Sequence, residues 1–326
     1  MTVLVTGAAG FIGFHVSAAL LRRGEHVIGI DSLNDYYDVK LKRARLAELT
    51  DKPGFEFHCL DLAERGALAA VVARYPDLDR MVHLAAQAGV RYSLTNPHAY
   101  IAANIQGHLE VIEACRHRAR FKHLVFASSS SVYGGNTKIP FAISDRVDMP
   151  LSLYAATKKA DEMMSYCYAH LYRLPTTGLR FFTVYGPWGR PDMAAWLFTE
   201  AILAGKPIKL FNRGEMRRDF TFIDDIVAGV LAALDRPPPD SSDEPPMRLY
   251  NLGNNRSEEL RRFVSILEQA LGRKALVDLL PMQPGDVPAS YAEITTSQRD
   301  LGFNPSVTID SGIPRFIDWY RRYHKI

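Results

Sequence analysis

The sequence predicts an α/β protein in which a doubly wound parallel sheet is followed by a smaller C-terminal α/β unit. Three observations predict this fold: a glycine-rich turn directly after a short apolar strand, an acidic residue at the end of the next strand, and a continued alternation of strand-like and helical segments. Strands separated by helical segments form parallel sheets, because each crossover places a helix on a face of the sheet.

The glycine-rich turn begins the chain. Residues 3–5 form an apolar run, and Gly7, Gly10 and Gly13 follow at every third position. A plain packing turn has similar spacing, but a phosphate-binding turn also needs glycine where the backbone turns sharply and approaches a pyrophosphate. The helix that starts at Phe11 and Ile12 would then offer free N–H groups and the positive end of its dipole.

An acidic residue ends the second strand. Residues 26–30 are strand-like, and Asp31 follows them eighteen positions after Gly13. A carboxylate at this place accepts a hydrogen bond from a ribose 2′-hydroxyl and repels a 2′-phosphate. We therefore predict a Rossmann-type dinucleotide site that takes NAD in preference to NADP.

The next segments extend the sheet and the cofactor site. Asn34 lies in a polar insertion, and residues 39–49 form a basic helix whose lysines are expected on a solvated face. The strands at 55–60 and 80–84 end in residues suited to an adenine edge and to close backbone approach, namely Asp61, Leu62, Leu84, Ala85 and Ala86.

A long helix is predicted over residues 96–118, with Asn104 inside it. A mid-helix Asn is usually exposed, but near a catalytic tyrosine it could hold a water or a backbone group. The strand at 123–126 then runs into Ser128, Ser129, Ser130 and Ser131, at the edge where such sheets bind ligands.

The helix that begins near Ser152 carries Tyr154 and Lys158. Positions four apart share a helix face, so the ammonium can lie near the phenol and favour loss of its proton. The pair is a candidate general base, and its significance comes from following the serine-rich strand end.

The second half is less regular. A strand at 177–182 is followed by residues 183–193, which are too rich in Gly and Pro for regular structure and form either a site loop or a crossover. Helices are expected at 224–234, 257–271, 296–301 and 309–324, and strands at 249–252 and 275–279. We assign residues 1–180 to the dinucleotide-binding domain, with the sheet returning in parts of 215–255, and 181–326 mainly to the substrate.

Composition excludes several classes. The net charge of +3 gives no basic stripe for nucleic acid, and no apolar run is long enough to cross a membrane. Met1 leads directly into the first strand, so we expect a cytoplasmic protein. Cys59, Cys115 and Cys167 are widely spaced, so we expect buried thiols and no metal site.

These motifs together resemble an extended short-chain dehydrogenase/reductase of the nucleotide-sugar epimerase type. The resemblance covers nearly the whole chain and includes the segment 218–220. Residues 179–193 and 281–287 are the more specific part, and they resemble the corresponding segments of UDP-glucuronate 4-epimerases.

The resemblance implies a retained NAD and a UDP-sugar substrate. It makes Tyr154 the base at the sugar 4-hydroxyl and Ser129 its hydrogen-bonding partner, and it places Lys158 and Asn104 beside the cofactor. Arg218 would meet the diphosphate and Asp286 the uridine end. Relatives also imply a homodimer formed by the helices that begin at Asn96 and Ser152.

The substrate carboxylate is expected among Ser130, Ser131, Thr183 and Arg190. Galactose-type epimerases usually have an Asn where Thr183 stands, which favours a uronic acid. Dehydratases and decarboxylases place an acid where Ser130 and Ser131 stand. Another UDP-sugar 4-epimerase, a decarboxylase and a non-catalytic NAD-bound regulatory protein remain the alternatives.

Overall fold

A computed structural model describes residues 1–283 and 286–326. The segment 281–287 used above therefore includes two positions, 284 and 285, that lie outside the described residues. Asp286 is within them.

The strands alternate with helices along the first half of the chain, and further strands follow in the second half. They are β1 Thr2–Thr6, β2 His26–Asp31, β3 Phe55–Cys59, β4 Leu78–His83, β5 His123–Ser129, β6 Thr176–Phe181, β7 Thr183–Tyr185, β8 Ile208–Leu210, β9 Arg217–Arg218, β10 Phe220–Phe222, β11 Met247–Leu252, β12 Glu258–Glu259, β13 Val277–Leu279 and β14 Ala289–Ser290.

The α-helices are α1 Phe11–Arg22, α2 Val39–Thr50, α3 Ala67–Val72, α4 Tyr92–Thr95, α5 Pro97–Tyr100, α6 Gly107–Arg116, α7 Leu153–Tyr172, α8 Ala194–Leu203, α9 Ile223–Leu234, α10 Leu260–Leu271, α11 Thr295–Leu301 and α12 Ile309–His324. A π-helical segment, Ile101–Gln106, joins α5 to α6. Short 3₁₀ turns occupy Ser130–Tyr133 and Asn212–Gly214.

The main sheet has seven parallel strands in the order β11-β6-β5-β4-β1-β2-β3. The order reverses beside β1, since β2 and β3 lie on one side and β4 to β6 on the other. A crevice forms at the carboxyl ends of the strands at such a reversal. The predicted fold class is confirmed, and the ends of β1, β4 and β5 meet at this crevice.

Both faces of the sheet are covered. One core, built on β4 and α6 with Met81, Ile112 and Leu124 fully buried, fills one face. A larger core on the other face joins α1 and α9 to the C-terminal helices α10 and α12. Strands buried on both faces need apolar residues throughout, which explains why residues 3–5 do not alternate.

Two predicted elements differ in the structure. Residues 96–118 do not form one α-helix, because the π-helical segment Ile101–Gln106 interrupts it. Residues 183–193 are not irregular throughout, because Thr183–Tyr185 forms a strand that pairs in parallel with Phe220–Phe222. Neither feature has a periodic signal of its own.

Within the described residues, the helices are all too short or too polar to cross a bilayer.

Candidate active site

The glycine turn brings the end of β1 against the segment after β4. Gly7 has φ +71°, and a Cβ there would lie 2.8 Å from the backbone nitrogen of Ala85. A Cβ on Gly10 would lie 2.9 Å from the carbonyl oxygen of Gly7, and one on Gly13 would collide with the same oxygen. The turn therefore admits no side chain, and its backbone forms a cradle on the wall of a cleft before the N-terminus of α1. Such a cradle fits a pyrophosphate.

Asp31 ends β2 beside this cradle. Its carboxylate accepts hydrogen bonds from the backbone N–H groups of Ala9 at 3.1 Å and Leu33 at 2.9 Å, so its position is fixed. The Lys42 ammonium lies 4.0 Å away and also donates to both oxygens of Asn34 at 2.8 Å.

Lys42 corrects one expectation. A solvated face was predicted for the lysines of the helix at 39–49, but Lys42 is only 5% exposed. Lys42 places its ammonium over the ring of Tyr37, 5.1 Å from the ring centre. Burial lowers the pKa of its ammonium, and the Asp31 carboxylate opposes that shift.

One cleft collects almost all of the predicted cofactor residues. Its wall includes Gly7, Gly10, Phe11, Ile12, Gly13, Asp31, Asn34, Asp61, Leu62, Leu84, Ala85, Ala86, Tyr154 and Lys158. Glycines, a fixed carboxylate and small residues in this arrangement fit a dinucleotide.

Asn104 is the exception, because it lies behind the wall of the cleft. It is 1% exposed, and its amide exchanges hydrogen bonds with the backbone of Gln87 and donates to Thr157 Oγ1 at 2.9 Å. The π-helical segment holds it there and leaves Ala103 on the cleft wall. Asn104 thus ties the segment after β4 to α7, which is a structural role and differs from the predicted contact with the cofactor.

A second cleft collects the predicted substrate residues. It is lined by Ser129, Ser130, Ser131, Thr183, Arg190, Arg218 and Asp286, together with Tyr154. The two clefts share Ser129, Tyr154 and Arg190. A group bound in one cleft therefore meets a group bound in the other at Tyr154.

Ser129 and Tyr154 owe their positions to helix caps. The Ser129 hydroxyl accepts from the backbone N–H of Ser131 at 3.1 Å, which starts the 3₁₀ turn after β5. Ser152 caps α7 by accepting from the backbone N–H of Ala155 at 3.1 Å, which places Tyr154 in the first turn. Both side chains are thus set by local backbone geometry.

Ser128 lines the first cleft, whereas the other three serines line the second. Its hydroxyl donates to Glu162 Oε1 at 2.7 Å, and Glu162 forms a buried bidentate pair with Arg180. This network fastens the end of β5 to α7 and β6. The hydrogen bonds from Arg180 hold the pKa of the Glu162 carboxyl below its usual value despite burial, which alone would raise it.

Arg190 is held by its neighbour Asp192. Its Nε and Nη2 atoms donate to the two carboxylate oxygens at 2.9 and 2.6 Å, and the Tyr36 hydroxyl donates to the same carboxylate at 3.0 Å. Burial would lower the pKa of the guanidinium, but the Asp192 charge outweighs it and the net shift is upward. Arg190 therefore presents a permanent positive charge to both clefts.

Arg218 and Asp286 face each other at the outer end of the second cleft. Burial lowers the pKa of the Arg218 guanidinium, whereas the Asp286 charge raises it. Asp286 also lies 3.3 Å from Arg91 Nη2, and the Arg91 guanidinium stacks over the ring of Phe211 at 4.5 Å. Two cations and one carboxylate thus border this end of the site.

Arg45 is a residue that the sequence analysis missed. It is fully buried, and it donates to the carbonyl oxygens of Trp188 and Ala9 at 2.7 and 3.0 Å and to the Tyr37 hydroxyl at 2.8 Å. His15 bonds the adjacent carbonyl of Pro187 at 2.9 Å. Together they fasten the segment 186–193 to the glycine turn. An arginine in a basic helix carries no signal for burial.

The fold and the two joined clefts define an NAD-binding enzyme with a Tyr/Lys pair, of the short-chain dehydrogenase/reductase type. The chain belongs to the NAD dependent epimerase/dehydratase family, whose family model matches residues 3–253.

Two of the similar proteins carry the name of a UDP-glucuronate 4-epimerase. The chain is 46% identical to a probable UDP-glucuronate 4-epimerase of Rhizobium meliloti, over 100% of this chain and 98% of that protein. It is 48% identical to UDP-glucuronate 4-epimerase 2 of Arabidopsis thaliana, over 100% of this chain and 77% of that protein.

Among solved structures, the fold is similar to that of UDP-glucuronic acid 4-epimerase from Bacillus cereus, in complex with UDP-glucuronic acid and NAD. The TM-score is 0.89 at 33% identity, and the match covers 99% of this chain and 100% of that one. The family resemblance drawn from the sequence is confirmed.

Proposed function

We propose that the protein is an NAD-dependent nucleotide-sugar epimerase that converts UDP-glucuronate to UDP-galacturonate through a transient 4-keto intermediate. The observation that carries this function is the meeting of the two clefts at Ser129 and Tyr154. Relatives that are 46% and 48% identical over the whole chain bear the name UDP-glucuronate 4-epimerase, which supports the choice of sugar.

The residues divide the chemistry between the clefts. The glycine-lined cleft would hold NAD, which would supply a hydride acceptor for C4 of the sugar and, once the 4-keto sugar has turned within the site, a hydride donor for its opposite face. The Tyr154 phenolate takes the proton of the 4-hydroxyl as the ketone forms, and Ser129 donates a hydrogen bond to the same oxygen. Lys158 favours the phenolate by its charge. Tyr154 then gives its proton back to the oxygen at C4, so the reaction consumes nothing.

The roles of the remaining segments follow from where they lie in the fold. Residues 1–180 form the NAD-binding domain, whose sheet returns in parts of 215–255, and residues 181–326 mainly hold the nucleotide sugar. Arg218 faces the diphosphate and Asp286 the uridine end. We place the protein in the cytoplasm, where its nucleotide-sugar substrate is accessible, and assign it a homodimeric assembly.

The decisive experiment uses the purified protein with UDP-glucuronate and no added nucleotide. We expect UDP-galacturonate to accumulate to an equilibrium mixture, and we expect mass spectrometry of the denatured enzyme to find NAD(H) and little NADP(H), because Asp31 repels a 2′-phosphate. Absence of turnover with NAD bound would favour a regulatory protein, and release of carbon dioxide would favour a decarboxylase.

The substrate carboxylate needs its own restraint. Oxidation at C4 makes a β-keto acid, which loses carbon dioxide when its carboxylate carbon–carbon bond stands perpendicular to the ketone plane. Ser130, Ser131 and Thr183 line the second cleft together, with the Arg190 charge beside them. Hydrogen bonds to an ionised group are worth about 1.5–3 kcal/mol each, so several together can set the rotamer.

This restraint predicts the behaviour of a double variant. Replacing Ser130 and Thr183 together by Ala should slow epimerisation and raise the fraction of UDP-4-keto-pentose among the products, as measured by chromatography. Replacing Ser128 by Ala is the matched control, because its hydroxyl bonds Glu162 instead. Parent rates without added decarboxylation in the double variant would show that these hydroxyls only cap the strand end.

A further inference from the structure

A buried ion pair lies on α7 directly behind the proposed base. Lys158 Nζ donates to Asp161 Oδ2 at 2.9 Å, and the two side chains are 3% and 1% exposed. The other carboxylate oxygen, Oδ1, is buried and has no hydrogen-bond partner among the residues the structure describes. The mechanism above uses Lys158 but gives no role to Asp161.

Because the pair is buried, the Lys158 ammonium depends on the Asp161 carboxylate for its stabilisation. A lysine removed from water tends to lose its proton, since a low-dielectric site disfavours the charged form, and only a nearby negative charge reverses that tendency. In the proposed mechanism, the Lys158 charge favours the Tyr154 phenolate. The Asp161 carboxylate supplies the negative charge, because it contacts the Lys158 ammonium directly at 2.9 Å.

Among residues 1–283 and 286–326, the other elements packed around Lys158 supply no counter-ion. His83 on β4 and His108 on α6 are both buried, and burial lowers the pKa of each imidazole, so both are neutral. Toward the cleft, Tyr154 is faced by the ring of Tyr100 and by the cation Arg190. In the described part of the chain, the one carboxylate within 4.0 Å of Lys158 is that of Asp161.

We propose that Asp161 is a positioning residue that keeps Lys158 charged and fixed beside Tyr154, and thereby sets the upper pH limit of turnover. The inference rests on the proposed function, in which Lys158 assists the Tyr154 base. Tyr154, Lys158 and Asp161 are spaced four and three residues apart, so they lie on one face of α7. Asp161 therefore adds one helical turn to the Tyr-x-x-x-Lys motif, which becomes Tyr-x-x-x-Lys-x-x-Asp in this chain.

The test is the pH dependence of turnover in Asp161→Asn. This variant keeps the shape and the hydrogen-bond acceptor but removes the charge. We expect the alkaline limb of the rate profile to move down by about 1–3 pH units, the scale of an opposite charge in contact, with the rate recovering at lower pH. Asp161→Glu keeps the charge, so its alkaline limb should remain close to that of the parent.

Asp79→Asn is the matched control. Asp79 is paired with Lys122 at 2.5 Å, and its Oδ1 is likewise buried without a partner among the described residues. It lies near the start of β4, at the end of the sheet opposite to the clefts. The same chemical change there should leave the pH profile in place.

A second measurement separates this inference from the proposed function. Lysine labelled with ¹³C at Cε gives the protonation of Lys158 by NMR without any substrate, and Lys158→Met identifies its signal. Its titration midpoint should fall in Asp161→Asn and stay unchanged in Asp79→Asn. If the parent does not turn over UDP-glucuronate, the proposed function fails while this titration still decides the role of Asp161.

An unchanged midpoint by NMR, or an alkaline limb that stays in place while the rate falls equally at every pH, would overturn the proposal and leave Asp161 a packing residue. If Asp161→Asn does not fold, Asp161→Ser carries the same expectation, because a hydroxyl accepts from the ammonium without adding charge.

Discussion

Tyr154 belongs to the walls of both clefts, and in the proposed mechanism it is the residue at which cofactor and substrate meet. Its phenolic oxygen is the one group in the proposed mechanism that both takes and returns a proton. Ser129 and Lys158 act on that oxygen or on its proton, so neither can replace it.

Replacing Tyr154 by Phe should therefore lower kcat by at least about a hundredfold, the usual contribution of a positioned base, while fold and NAD content stay unchanged. The measurement is turnover of UDP-glucuronate, with circular dichroism and nucleotide analysis on the same preparation. Tyr166→Phe on the exposed side of α7 is the control and should keep the parent rate. Near-normal turnover in Tyr154→Phe would remove Tyr154 from the mechanism.

The role of a single residue can be predicted from the sequence when that role depends on its spacing from residues nearby in the chain. Gly7, Gly10 and Gly13 are such a case, since the steric demand acts between neighbours in the chain. Arg45 and Lys42 are the opposite case. Their burial depends on carbonyl groups and side chains brought together by the fold, such as Trp188 at 143 positions from Arg45.

Among the elements, the segment 186–193 is anchored by residues that are distant in the chain. Arg45 on α2 bonds the carbonyl groups of Trp188 and Gly189, and the segment carries Arg190 to the clefts. Trp188 adopts φ +62°, a conformation that L residues rarely hold without such support.

Arg45→Met should release this segment. The buried carbonyl groups that lose their donor cost about 1–3 kcal/mol each, so we expect a destabilisation of about 3 kcal/mol or more together with faster loss of NAD. Urea unfolding and limited proteolysis measure the two effects. Arg43→Met, on the exposed face of the same helix, should change neither, and equal behaviour of the two variants would refute the anchoring role.

The start of β5 holds a pH-sensitive contact. His123 is fully buried between the carbonyl oxygen of Leu234 at 3.1 Å and Thr177 Oγ1 at 2.9 Å. Burial lowers the pKa of its imidazole to about 4, although the bond to Leu234 opposes the shift. The unfolded chain therefore takes up this proton first as the pH falls below about 6.5.

The free energy of unfolding should accordingly fall by about 2 kcal/mol through His123 alone between pH 7 and pH 5, and level off below pH 4. Urea titrations at both pH values should show a smaller fall in His123→Gln than in the parent. His170→Gln, on the exposed surface, is the control. The same fall in all three proteins would mean that other groups control the acid response.

Elements with a strong period were predictable, and the irregular ones were not. The helix α12 and the strands β1 and β2 follow from their residue patterns almost to their ends. The π-helical segment does not, because Asn104 within it donates hydrogen bonds to the Gln87 carbonyl and to Thr157 Oγ1, and neither partner belongs to the local sequence. Similarly, β7 forms only because Phe220–Phe222 lies beside it.

For the whole molecule, the surface of α7 indicates how two copies would associate. Met163, Tyr166, Leu171 and Tyr172 are 48–65% exposed along this helix, and Ile101 on the neighbouring π-helical segment is 48% exposed. Several large apolar side chains exposed on one helix and its neighbour are typical of an interface between copies. It supports the homodimer proposed from the resemblance, in which α6 and α7 of each copy form a four-helix bundle.

Met163→Glu combined with Tyr166→Glu should convert the dimer to a monomer, because two buried charges per copy would oppose association. Light scattering at micromolar concentration measures the mass. Leu276 in the C-terminal half is as exposed as Met163, and the Leu276→Glu variant should remain a dimer. A monomeric parent would refute the assembly.

The position of β11 also determines how the chain behaves while it is being synthesised. β11 covers one side of β6, but about 65 residues (182–246) separate the two strands. At roughly 5–20 residues per second, the edge of β6 stays uncovered on the ribosome for roughly 3–13 s. Such an edge is a template for pairing with other chains. Nascent chains that end before Met247 should therefore recruit chaperones or aggregate, whereas chains extended past Leu252 should not.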